Sequence, residues 1–287
     1  MDTVMRAPVY QALEGEGHVV HECISMNDNQ DPTQGYYPYR TDLARFSNQY
    51  GDIRNVPSIL IEQHALHPYK TQVLGNYVML KAMFQVIGEQ AQSLGAAIVK
   101  DRQRLKAQRE VILTWKPGKD ERVPFEVGDY RHEPSPITGA PTIVWGNTPR
   151  PLTVPVSGNT EPDLVVTRPR QYIVPVQWPE VIARLKAHGI RMTTLKKPTE
   201  LKLQQYTLSN PVFNTKDFEG RQTVKAESEL TKVSTTLPAG TIKISTDQPL
   251  GDLAILLLEP QSPDSLLQWG FFNPIFTHTE YIEDYAV

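Results

Sequence analysis

From Pro68 the apolar residues Val73, Tyr77, Leu80, Phe84, Ile87, Ala91, Leu94 and Ile98 recur at alternating spacings of four and three. That period gathers them on one face of an α-helix, whereas a strand, with its two-residue alternation, would scatter them over both faces. Pro68 suits the helix start, because its missing N–H is not needed there and its φ is already helical. The stripe is expected to pack on a sheet. The charged run KDRQRLKAQRE, Lys100 to Glu110, predicts solvated last turns before a strand, VILTW, opens at Val111.

The apolar run ahead of this helix, within NVPSILIEQHALHPYKTQVL (Asn55 to Leu74), reads as a buried strand over Ile59 to Glu62. Beyond Lys116 prolines and glycines arrive every few residues, which predicts short strands and long loops as far as Arg170, with KPGKDERV as a hairpin turn. YIVPVQWPEVIARLKAHGIRMTTL reads as strand, helix and strand, with Pro179 just inside the helix start and Gly189 just past its end. KLQQYTL, TVKAESEL, TIKIST and LAILLLEP read as further strands. The expected fold class is therefore α/β. An α/β portion over residues 1–109 is followed by a β-rich, sandwich-like portion over 110–287, the boundary falling near Arg109 or Glu110.

At 287 residues, 39% apolar and 21% charged, the chain has the composition of a folded protein. A formal net charge of -3 without a clustered Lys/Arg face predicts neither nucleic acid nor an anionic membrane as partner. No apolar run reaches the length of a spanning helix, and MDTVMRAPVYQALEGEGHVV lacks the basic and apolar regions of a signal peptide, so the chain reads as soluble and carries no export address. The single cysteine, Cys23, has no intramolecular disulfide partner.

Several catalytic signatures are missing: G-x-S-x-G, G-x-x-x-x-G-K-[ST], H-E-x-x-H, C-x-x-C and H-x-x-E. Two local groups have ligand types that suit zinc. GHVVHEC offers His18, His21 and Cys23, and EQHALHPY offers Glu62, His64 and His67. Neither has a recognised metal spacing, and both read as ordinary histidines and a hydrogen-bonded carboxylate rather than a metal centre. No metal ligand is assigned within this chain. A carboxylate at the end of an apolar strand is either a surface residue or part of a site, and the residues alone leave that open for Glu62.

PSILIEQHALHPYKTQVLGNY, preceded by RFSNQYGDIRN, resembles the end of the catalytic domain in a bacterial long-form branch of the zinc carboxypeptidases, the carboxypeptidase A-like family. LPAGTIKISTDQPLGDLAILLLEPQSPDSLLQWGFFN is similar to the downstream region of those members, and its SPDSLLQWGFFN block is the more specific match. The resemblance implies that Glu62 is the catalytic glutamate, taking a proton from a zinc-bound water and returning one to the leaving amine. His64 matches the histidine of the family's usual ETHS, with Gln63 and Ala65 in place of Thr and Ser. It further implies a peptide or peptide-like substrate, with Tyr50 as a pocket hydroxyl and Arg45 as a bidentate partner for a substrate carboxylate.

Departures from the family pattern are as informative. The family's H-x-x-E pair, its third zinc histidine, and its substrate-anchoring arginine and asparagine would all fall before Met1. The chain is thus expected to be the last part of a zinc-dependent carboxypeptidase domain, residues 1–109, followed by an accessory domain, 110–287. By itself it is expected to be inactive, its parent secreted or periplasmic, and its cofactor zinc supplied with ligands from elsewhere. The alternative is a non-catalytic remnant serving binding or packing.

Overall fold

The computed structural model describes residues 2–39, 43–65, 67–119 and 121–277. In chain order, α1 (Ala7–Gly15) precedes strands β1 (Ile24–Met26) and β2 (Tyr36–Pro38), then helices α2 (Ser47–Ile53) and α3 (Tyr69–Ala107). Six strands follow: β3 (Glu110–Ile112), β4 (Trp115–Pro117), β5 (Glu121–Pro134), β6 (Pro141–Val156), β7 (Asn159–Pro162) and β8 (Val165–Thr167). After β9 (Gln171–Val174) come α4 (Pro179–Ala187), β10 (Thr193–Thr194), β11 (Thr199–Phe213), β12 (Val224–Leu237), β13 (Ile242–Ser245) and α5 (Gly251–Leu258). The protein is mixed α/β with several small sheets, none of them closed. Its residues fall into two compact units, one of Met1–Asp42, Ile59–Gly95 and Trp115–Asp163, the other of Leu43–Ser58, Ala96–Thr114 and Leu164–Val287. Among the described residues no helix is long and apolar enough to cross a membrane.

The first unit is organised by one long hairpin. Strands β5 and β6 pair antiparallel from Glu121↔Val156 to Pro134↔Pro141, in a four-stranded sheet ordered β1-β2-β6-β5. The turn is Ser135–Ala140, closed by Ser135 N–H to the Ala140 carbonyl at 2.8 Å, with Gly139 at φ +70. The predicted turn KPGKDERV is corrected: Lys116 and Pro117 belong to β4, which takes β7 as partner, and Glu121 opens β5. Asp120 of that stretch lies outside the described residues. The register shifts between Gly128 and Tyr130, where only glycine fits, since a Cβ on Gly128 would come within 2.4 Å of the Gly146 carbonyl oxygen. Tyr36, Val154 and Val156 form the buried centre of this sheet, with Phe125 and Leu152 against them.

Helix α3 is the element that the four-three period predicts, but its packing is the reverse of the expected one. Gly75, Met79, Ala82 and Val86 are its buried residues, and Met79 and Ala82 pack on Val9 and Leu13 of α1. The predicted contact stripe faces solvent: Val73 is 46% exposed, Tyr77 66%, Leu80 43%, Phe84 70% and Ile87 42%. The small Ala82 lets α1 pack closely on one side, whereas the bulky stripe requires a broad apolar partner that no described residue supplies. The predicted strand over Ile59 to Glu62 is corrected for a related reason. Residues 56–64 have no regular secondary structure, and Ile59, Leu60 and Ile61 are 44%, 43% and 36% exposed. An apolar run becomes a strand only beside another strand that completes its hydrogen-bond ladder.

The second unit holds the larger core. Strands β10, β13 and β9 form an antiparallel sheet in that order, and α4 and α5 pack with it through Val181, Leu185, Ile244, Leu253 and Ala254, all at most 2% exposed. The strand–helix–strand reading of residues 171–194 matches β9, α4 and β10, with Pro179 in the first turn of α4 and Gly189 at φ +82 beyond its end. LAILLLEP, predicted as a strand, forms α5 instead. Its apolar run is continuous, and a helix that is apolar on every side is stable when fully enclosed, as Leu253, Ala254 and Ile255 are here. KLQQYTL and TVKAESEL form the long two-stranded ribbon β11–β12. Arg168 closes the end of α3, donating to the carbonyls of Leu105 and Gln108 and pairing with Asp252.

Candidate functional site

Glu62 belongs to the first unit, in the irregular segment ahead of α3, and its side chain is exposed. Just beyond it the chain turns: the His67 N–H donates to the His64 carbonyl at 3.0 Å, and Gln72 Nε2 donates to the His67 carbonyl at 2.7 Å. The His64 and His67 rings lie 5.9 Å apart, centroid to centroid. The two histidine-bearing segments meet over Gly75 of α3, where a Cβ would stand 3.4 Å from both Gln63 Nε2 and the His18 ring. This proximity was not visible in either motif by itself. Among the described residues, no group of three or more His, Cys, Asp or Glu is placed to hold a metal ion. Among the described residues, the donor set therefore does not fit zinc.

Tyr50 belongs to the second unit, on α2, half-buried against the β9–β13 core. Its hydroxyl is 2.7 Å from His188 Nδ1 and receives a hydrogen bond from Arg54 Nη1 at 2.9 Å. The same Nη1 donates to the His188 carbonyl at 3.0 Å. Burial, and then the positive charges of Arg54 and Arg184, hold the His188 imidazole below its ordinary pKa of 6.5. His188 is thus neutral near pH 7, its Nδ1 in hydrogen-bond contact with the Tyr50 hydroxyl, to which Arg54 also donates. The unfolded chain takes up a proton near pH 6.5 that the folded imidazole refuses, so this contribution is complete above 6.5 and is lost as pH falls through the lower folded value. His188→Gln is expected to flatten the fall in stability between pH 7 and pH 5, measured as urea midpoints across that range.

Arg45, also of the second unit, has a buried partner in its own chain. Its Nη1 pairs with Asp264 Oδ1 at 3.1 Å and its backbone N–H donates to Oδ2 at 3.0 Å. Trp269 Nε1 adds a third donor to Asp264, which is only 6% exposed, and the guanidinium lies over the rings of Phe46 and Phe218. Arg45→Met is expected to cost about 1.5–3 kcal/mol, the worth of a hydrogen bond to a charged group, because Asp264 stays buried with one charged donor fewer. A urea titration that leaves the midpoint unmoved would show the pair to be dispensable.

Sequence reasoning missed the polar centre at Glu259. This carboxylate is 5% exposed and accepts the hydroxyls of Tyr172 and Tyr206, whose phenols burial and the adjacent carboxylate push upward. Partners 53 and 87 residues away leave no local signal. Likewise Tyr50 and His188 are 138 positions apart.

With this geometry in view, comparison with known proteins is informative. No family model matches the chain, and no solved structure matches it. Among characterised proteins, it is 29% identical over 131 residues to Carboxypeptidase 2 of Trichophyton rubrum, which is 46% of this chain and 24% of that protein. Carboxypeptidase 2 of Trichophyton tonsurans is 30% identical over 118 residues, 41% of this chain and 22% of its own length. Probable carboxypeptidase 2 of Arthroderma benhamiae is 27% identical over 116 residues. The matched region thus spans about a quarter of the length of these relatives, and within it the chain is a distant homologue of proteins named carboxypeptidases.

Proposed function

We propose that this chain is part of a long-form zinc carboxypeptidase that removes C-terminal residues from peptides. Residues 1–109 are the closing portion of the catalytic domain and 110–287 an accessory domain. One observation carries the reading: the contiguous resemblance across residues 45–77, in which Glu62 matches the family's catalytic glutamate. The distant homology to carboxypeptidase 2 proteins is in keeping with a carboxypeptidase-related function. In this reading Glu62 accepts a proton from the attacking water and passes one to the departing amine. Tyr50 offers its hydroxyl to the substrate. Arg45 receives the substrate carboxylate, which competes with Asp264 for the guanidinium.

Glu62 is open to solvent and the donor set among the described residues does not fit zinc, so the proposal assigns the metal ligands to a longer polypeptide and takes the 287-residue chain as inactive. The test compares this chain with a polypeptide extended upstream to include an H-x-x-E pair, using release of a C-terminal residue from a blocked peptide. Turnover by the extended form alone, lost on chelation, is the expected result. Chelator-sensitive turnover by the short chain would overturn the assignment of the ligands, and an inactive extended form would favour the non-catalytic remnant.

A further inference from the structure

We propose that the open cavity lined by Glu180, Ala183, Arg184 and Arg221, about 320 Å³ in volume, binds a monocarboxylate, held by the guanidinium groups of Arg184 and Arg221 together. The carboxylate is that of a free small acid or of a peptide chain end. All four residues belong to the second unit. The volume is at the lower end of what small-molecule sites occupy.

Local structure sets both arginines. Arg184 lies on α4. Arg221 follows a two-residue turn, Glu219-Gly220, in which both residues have positive φ, and Phe218 and Arg221 exchange backbone hydrogen bonds of 2.9 and 3.0 Å across it. Both guanidinium groups lie over one ring, Phe271, whose centroid is 3.6 Å from Arg221 Cζ and 5.5 Å from Arg184 Cζ. Phe271 belongs to SPDSLLQWGFFN, the block that stood out in the sequence. Contact with a ring face orients a guanidinium while leaving its N–H edges to hydrogen-bond elsewhere.

Charge selects the ligand. Two positive groups gathered at one cavity repel, and the lining sets a single carboxylate against them. Glu180 stands four residues before Arg184 on α4, the spacing and order at which a helical ion pair forms, yet its Oε2 pairs with Arg221 Nη2 at 3.0 Å. Among the described residues no carboxylate pairs with Arg184. Two arginines and one glutamate leave the lining with one surplus positive charge, which a monoanion balances. A phosphate dianion would bring surplus negative charge beside Glu180. The guanidinium fork also matches the two oxygens of a carboxylate. Glu180, with its side chain 70% exposed, is itself a carboxylate seated on Arg221, and an incoming one displaces it into solvent.

Isothermal titration calorimetry of the 287-residue chain with N-acetylalanine is the test, in a buffer free of carboxylates. Expected is saturable binding with a Kd of about 1 mM or tighter, none with the amide of the same compound, and weaker binding of inorganic phosphate. Arg184→Gln should weaken binding roughly tenfold or more, the worth of one hydrogen bond to a charged group. Lys186→Gln, which removes a positive charge from α4 outside the cavity, should not. Glu180→Gln should tighten binding by up to about fivefold, the worth of the exposed ion pair that competes with the ligand. Glu180, Arg184 and Lys186 are all exposed, so each variant should keep the wild-type far-UV spectrum. N-acetyl-tetraalanine separates the two sources: binding equal to that of N-acetylalanine assigns the cavity to peptide chain ends, and its exclusion assigns the cavity to free small acids. Absence of saturable binding, equal binding of the amide, tighter binding of phosphate, an Arg184→Gln chain that binds as the wild type does, or a Glu180→Gln chain that binds more weakly would each overturn the proposal.

Discussion

In a polypeptide that joins this chain to a zinc-binding half, Glu62→Gln is expected to lower kcat by about 10²–10⁴-fold, the range that a positioned general acid–base contributes. Glutamine keeps the length and shape of the side chain and can still hydrogen-bond to water. It cannot accept the proton of the nucleophile or return one to the leaving amine. A change in which kcat and kcat/KM fall together marks an interaction made only in the transition state, so KM and metal content should stay close to those of the parent. His64→Gln, two residues on, is the companion measurement. A variant at 62 with unaltered kcat would remove Glu62 from the chemistry and leave it as a surface carboxylate, which is how an exposed position also reads. If metal content fell with activity, the residue would be holding the site together rather than moving protons.

Replacing Leu185 by alanine is expected to destabilise the second unit by about 2–5 kcal/mol. Leu185 lies on α4 with 0% of its surface exposed, surrounded by Val174, Val181, Ile244 and Leu253 of the same core cluster. Removing its branched end loses the transfer free energy of the buried methyls and leaves a cavity that a well-packed sheet and helix layer cannot close. The urea midpoint should fall with the slope unchanged. A shift below about 0.5 kcal/mol would mean that the β9–β13 sheet and its helices are not the stabilising core.

Local periodicity determined much of the secondary structure. The four-three spacing from Val73 to Ile98 required a helix, and α3 runs Tyr69–Ala107. Pro179 and Gly189 bracketed α4 because one needs no N–H at a helix start and the other adopts φ +82 at no steric cost. Glu62 was singled out only through its neighbours' resemblance to a family, since an isolated carboxylate has no pattern of its own.

Tertiary structure decided what period leaves open. Which face of α3 is buried depended on Ala82 admitting α1 and on Gly75 leaving room for Gln63 and His18, steric conditions that hydrophobicity does not encode. LAILLLEP became α5 because an unbroken apolar run fits a buried helix as well as a buried strand, and enclosure by the β9–β13 core selects the helix. Ile59 to Ile61 stayed irregular because a strand exists only through its ladder, and a ladder belongs to two segments. The partners of Tyr50, Arg45 and Glu259 lie 138, 219, and 53 and 87 residues away. Hydrogen bonds over such separations form only after the backbone has closed the intervening loops, so these polar centres follow from the fold rather than from any local stretch of sequence.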